Sequence, residues 1–256
     1  MPDFPDLSDV SALLFDLDGT ATRGDALPAD AYAALERAHD AGLKTLAVTG
    51  RPAGWCDMIA RWWPVDGVIG ENGAFCFRRR PDGSMARDWI TRPTAQERTD
   101  LHALLDAAIA AVPGSAPAED NAWRVCDLAL DFAEAVERLP LESAKIAQSV
   151  FEAGGATAKI SHIHVNAWFG HHDKRSTALR ALSEALDIRE RERVAYIGDS
   201  PNDAPMFEAF PLSFGVSGVR DYLSVMDHAP AHILDGAEAD GFIGLIDRLV
   251  TLRETA

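Results

Sequence analysis

The chain has 256 residues, 47% of them hydrophobic, and a formal net charge of −16, enough apolar material for a core plus a second lobe. That charge argues against a nucleic-acid partner, which relies on a basic surface, and no stretch approaches the roughly 18 uninterrupted apolar residues of a membrane span. Cys56, Cys76 and Cys126 are scattered, and Met1-Pro2-Asp3-Phe4-Pro5-Asp6 lacks a signal core, so neither a disulfide framework nor a zinc site is expected and a cytoplasmic location is.

In chain order, strand 12–16, helix 28–41, strand 44–49, helix 52–62 and a short strand 67–70 alternate as in a parallel sheet with crossover helices. The texture then changes. Ala74-Phe75-Cys76-Phe77 and Arg87-Asp88-Trp89-Ile90 read as a hairpin turning at Pro81-Asp82-Gly83. The run Arg78-Arg79-Arg80 on it reads as a solvated face or, alternatively, a patch for phosphate or a partner. A helix over 94–111 stops at Pro113-Gly114, a strand over 123–130 and a helix over 140–153 follow, and Lys159 to Phe169 closes the segment. The alternation resumes with helix 174–187, strand 193–198, helix 202–209, strand 212–216, helix 219–226, strand 231–234 and helix 239–252. The expected fold is therefore α/β, a Rossmann-like doubly wound parallel sheet interrupted by an α+β lobe. The core is drawn at 1–77 and 171–256, and the inserted cap at 78–170.

Four pieces of sequence carry chemistry. Phe15-Asp16-Leu17-Asp18-Gly19-Thr20 ends the first buried strand, placing two carboxylates at the carboxyl edge of a sheet, where open α/β folds bind ligands. Residues i and i+2 share a face, so one carboxylate can attack phosphorus while the other moves protons. Thr49-Gly50-Arg51 closes the second strand with a hydroxyl and backbone N–H groups suited to phosphate oxygens. Lys174 begins a helix with Ala178, Leu179, Leu182 and Leu186, and its ammonium can offset charge on a phosphoryl group. Gly198-Asp199-Ser200-Pro201-Asn202-Asp203 follows the strand at 193–198 and offers carboxylates of the kind that bind Mg²⁺ together with substrate phosphate.

In this order the motifs resemble those of the haloacid dehalogenase superfamily of phosphohydrolases. The resemblance implies that Asp16 is a nucleophile, Asp18 a general acid/base, and Thr49 and Lys174 phosphate-binding residues. It further implies that Asp16, the Asp18 carbonyl and Asp199 hold Mg²⁺, with Asn202 and Asp203 supporting them. Glu71-Asn72-Gly73-Ala74 and the position of the inserted lobe resemble the type IIB branch, which includes Cof-like sugar phosphatases, sucrose-phosphate phosphatase, mannosylphosphoglycerate phosphatase and phosphomannomutase. The expected activity is a Mg²⁺-dependent phosphatase for a phosphorylated sugar or related small metabolite, working as a monomer or homodimer. A hexose phosphomutase and a non-catalytic sugar-phosphate binder are the alternatives.

Within the lobe, His162, His164, Asn166 and Trp168 alternate with Ile163, Val165 and Ala167. Period two puts the four on one face of a strand. With Gly50, Arg51 and Asn72 they are the candidate substrate-binding residues, able to meet sugar hydroxyls and stack on a sugar ring; a merely solvated face is the other reading.

Overall fold

The structure is a computed structural model and describes residues 4–255. Its first strand, β1 (Ala12–Phe15), is buried on both faces, as its unbroken apolar run requires. The strands β2 (Lys44–Val48) and β3 (Gly67–Gly70) extend the sheet on one side, and three later strands, β10 (Val194–Gly198), β11 (Leu212–Gly215) and β12 (His232–Ile233), extend it on the other. All these neighbours pair in parallel. Because the order reverses about β1, the carboxyl ends of β1 and β10 flank a topological switch point, the place where such sheets bind ligands.

The hairpin of β4 (Phe75–Arg79) and β5 (Met85–Trp89) does not belong to the inserted lobe. It adds antiparallel to β3 and completes an eight-stranded sheet, so the boundary expected at residue 78 falls inside a core strand. Phe75, Phe77 and Trp89 form an aromatic cluster that fastens the hairpin, with Phe75 and Phe77 stacked at 4.2 Å. In the arginine run Arg78 pairs with Asp88, and Arg79 and Arg80 are exposed.

Alternation along β1 divides the core. Leu13 and Phe15 pack with α1 (Ala29–Asp40), α2 (Ala53–Trp62) and α7 (Glu238–Glu254), through Leu35, Ile59, Phe242 and Leu249. Ala12 and Leu14 pack on the opposite side with α5 (Lys174–Ala185) and α6 (Ala204–Ala209), through Ala178, Leu182 and Met206. The helix expected over 219–226 is a run of 3₁₀ turns, Ser217–Val225.

The inserted lobe holds the strands β6 (Ala116–Pro117), β7 (Asp127–Asp131), β8 (Thr157–Ile160) and β9 (His164–Trp168), in antiparallel order β6-β7-β9-β8, and the helices α3 (Ala95–Ala111) and α4 (Leu141–Ala153). Thr94 and Glu97 form a reciprocal capping box at the start of α3. Leu101, Leu105, Phe151, Val165 and Ala167 make a separate core, so the apolar face of β9 covers the lobe's own helices. Trp123, where the expected strand begins, ends a 3₁₀ turn over Glu119–Trp123. The stretch from Lys159 to Phe169 is a hairpin of β8 and β9 rather than one strand, which leaves His162 in the turn. Among the described residues no helix is long and apolar enough to cross a membrane.

Candidate active site

Asp16 follows the last residue of β1, and Lys174 starts α5, whose first turn is capped by Asp173 accepting from the Ser176 N–H at 2.6 Å. The two meet in the interior. Lys174 Nζ donates to Asp16 Oδ1 at 3.0 Å and to Asp203 Oδ1 at 2.7 Å, and Lys174 is 2% exposed. Burial raises the Asp16 carboxyl well above the usual range, with Asp203, Asp199 and Asp18 adding to the rise and Lys174 opposing it. Burial likewise raises Asp199.

Every oxygen of Asp203 is taken. Oδ1 also accepts from the Tyr196 hydroxyl at 2.5 Å, and Oδ2 accepts from the backbone N–H groups of Asp199 and Ser200. Asp203 thus holds the turn that presents Asp199, and a side chain at Gly198 would stand 2.3 Å from Asp203 Oδ2. Asp199 is different: its Oδ1 is buried without a partner among the described residues. Oxygens of Asp16, Asp199 and Asp203 lie within 4.8 Å of one another. An orphaned carboxylate oxygen beside two further buried carboxylates is suited to a hard divalent cation. Gly19, at φ +76°, lets the chain pass where a Cβ would come 2.4 Å from Asp199 Oδ2.

Asp18 and Asp16 line the same small space, but the Asp18 carboxylate is gripped by Arg51, through Nε at 2.9 and 3.1 Å and Nη2 at 2.7 Å. Arg51 reaches the lobe as well, donating to Glu134 at 2.6 Å and to Asp120 at 3.4 Å. Burial works against its charge, yet Asp18 and Glu134 raise its pKa. Burial also raises Glu134, but His164 and Arg51 outweigh that and bring it down to about 2. Thr49, at the end of β2, accepts the Arg51 N–H at 3.0 Å. The Gly50 carbonyl accepts from Arg124 Nη1 at 2.8 Å.

The candidate lobe residues divide. His162 Nδ1 sits 3.3 Å from Asp199 Oδ2, which raises the imidazole pKa against its burial. His164 Nε2 is 2.9 Å from Glu134, and Asn166 donates to Asp127 at 3.0 Å, as does Asn72 at 3.4 Å. His162, His164 and Asn166 close over Asp16 and Asp18, leaving only about 10 Å³, about the space of one water. Trp168 is not with them. It is 1% exposed, its ring lies against His172 at 5.2 Å, and it faces a separate cavity beside Lys174. A buried ring covered in this way offers no open platform for a sugar, contrary to the stacking expected of it.

Sequence reasoning missed the residues that join lobe to core. Glu71 is fully buried, and its carboxylate accepts from the N–H groups of Ala53, Val125, Cys126 and Asp127. Arg124 is buried between Asp120 and Asp127, and burial still lifts the Asp127 carboxyl to about 7. Thr20, inside the first motif, has a buried hydroxyl without a partner. The only signal for Glu71 was its place before Asn72-Gly73. Glu71→Gln is expected to cost about 3 kcal/mol, since an amide leaves some of these donors unpaired. At about 2–4 °C per kcal/mol, a melting experiment should show the loss plainly; a change under 1 °C would mean the clamp contributes nothing.

Comparison with known proteins agrees with this geometry. A haloacid dehalogenase-like hydrolase family model matches residues 13–109 and 134–241. A phosphoglycolate phosphatase of Pyrobaculum neutrophilum is 29% identical over 247 residues, covering 93% of this chain and 95% of that protein. A Thermoplasma acidophilum structure superposes with a TM-score of 0.70 at 20% identity, covering 95% of this chain and 99% of that one. A subclass IIB sugar phosphatase superposes with a TM-score of 0.64 at 18% identity, covering 93% and 98% respectively. The chain belongs to the haloacid dehalogenase-like hydrolases and has the fold of their type IIB capped branch.

Proposed function

We propose that this protein is a Mg²⁺-dependent phosphatase of the cytoplasm that hydrolyses a small phosphorylated metabolite through an aspartyl phosphate on Asp16. The observation that carries the reading is the buried cluster in which Lys174 spans Asp16 and Asp203 beside the unpartnered oxygen of Asp199. A pure binder needs no such arrangement around a carboxylate. Asp16, Asp199 and the backbone at Asp18 would hold the cation, and bound Mg²⁺ would neutralise the acidic cluster and the incoming phosphoryl charge.

The chain's own residues then divide the work. Asp16 attacks phosphorus in line, Lys174 steadies its carboxylate, and Asp18 gives a proton to the leaving oxygen. The same Asp18 next takes a proton from the water that releases phosphate. Thr49 and Thr20 supply hydroxyls to the phosphoryl oxygens. Because the space over Asp16 is only about 10 Å³, the capping lobe must move off the core to admit substrate, breaking the Arg51 bridge to Glu134. The relatives named phosphoglycolate phosphatases favour a small acid over a sugar as the leaving part. Purified protein should release phosphate from monoesters without a bisphosphate activator, which separates hydrolysis from mutase chemistry. EDTA should abolish the activity, Mg²⁺ should restore it, and Ca²⁺ should restore little, its looser coordination holding the reactants less well in line. Full activity in EDTA would remove the metal from the account.

A further inference from the structure

A cavity of about 260 Å³, lined by Lys174, opens between lobe and core. Asn202 lines both this cavity and the small space over Asp16. From the lobe, Lys159 and Trp168 reach this cavity on neighbouring strands: Thr157 pairs with Trp168, and Lys159 with Asn166. His172, just past β9, completes the wall.

Asn72, Lys174 and Asp173 are bonded within the protein, but other polar atoms of this wall, the acceptor Asn72 Oδ1 among them, lack a partner among the described residues. Trp168 Nε1, in a residue 1% exposed, has no hydrogen-bond partner among the described residues. Neither ring nitrogen of His172, 7% exposed, has a partner in bonding geometry. Burial lowers the His172 pKa to about 4, against the opposing influence of Asp173 and the Glu71 backbone, so the ring is neutral and carries one N–H. The half-buried Lys159 ammonium makes no ion pair among the described residues. Asp173 is the one acid in the lining, and its carboxylate already caps α5. Buried donors left open cost free energy unless something accepts from them.

Building on the phosphatase reading above, we propose that Trp168, His172 and Lys159 form an oxyanion subsite that receives a carboxylate on the non-phosphate part of the substrate and so selects phosphorylated small acids over neutral phosphomonoesters. The open Trp168 N–H and the Lys159 ammonium, with the His172 ring beside them, match the acceptor-only character of a carboxylate.

The test compares phosphoglycolate with ethylene glycol monophosphate, which differ only in carboxylate against hydroxymethyl. The wild-type enzyme should favour the acid in kcat/KM, and Trp168→Phe and Lys159→Met should each reduce that preference by about tenfold, the scale of one lost buried hydrogen bond. No preference in the wild type, or equal losses on both substrates in both variants, would overturn the subsite. If neither these compounds nor an aryl phosphate is hydrolysed with Mg²⁺, the phosphatase reading fails, and calorimetry decides the subsite separately. Tighter binding of the acid than of the alcohol would support it, and equal affinity would refute it.

Discussion

Asp16→Asn is expected to lower kcat by about four orders of magnitude or more, the scale on which loss of a covalent nucleophile is felt. The amide keeps the shape and removes the attacking charge. It should not unfold the protein. The Asp16 carboxyl is raised by its burial and by three neighbouring acids despite Lys174, so the ionised form sits at a cost that the neutral amide does not incur. Lys174 retains Asp203 as its partner at 2.7 Å. The melting temperature should therefore stay level or rise while turnover of an aryl phosphate disappears. Activity within about tenfold of wild type would exclude Asp16 as nucleophile.

Lys174→Met carries the second large effect, and here activity and stability fall together. Removal of the ammonium leaves Asp16, Asp199 and Asp203, whose oxygens lie within 4.8 Å of one another, without a buried cation. Breaking one side of a buried ion pair costs about 3–5 kcal/mol, or about 6–20 °C at the sensitivity usual for a chain of this size. Loss of a fixed positive charge beside the reacting group should lower kcat/KM by about a thousandfold. The double variant Lys174→Met with Asp203→Asn should recover part of the stability and none of the activity, because only the repulsion is relieved. Recovery of neither would show that packing, not charge, decides the effect.

What could be read from the chain, and what could not, follows from the range of the interactions. The alternating core was legible because buried parallel strands such as Ala12–Phe15 are unbroken apolar runs and helices such as Ala29–Asp40 repeat their apolar positions at Ala31, Ala34, Leu35 and Ala38. The hairpin Phe75–Trp89 was legible as a hairpin, but not as part of the core sheet. Its partner is chosen by aromatic packing and by the free edge of β3, neither of which leaves a periodic mark. The stretch 157–168 alternates through a turn, so its pattern concealed the break at His162 and the separation of Trp168 from His164 and Asn166. Arg51, legible as a residue beside Thr49, turned out to bridge Asp18 to Glu134 and Asp120, because residues 69 and 83 positions away in the chain are brought to it only by folding. Glu71, Arg124 and Asp127 were hidden for the same reason: a buried charge is recognisable only once its partners are in place.

In the proposed reaction phosphate leaves in two displacements, with Asp16 carrying the phosphoryl group between them. The most direct measurement is the stereochemical course at phosphorus with an isotopically chiral thiophosphate ester as substrate. Two successive in-line displacements predict net retention of configuration. Net inversion would mean that water attacks the substrate directly, and Asp16 would then be no more than a ligand or a base.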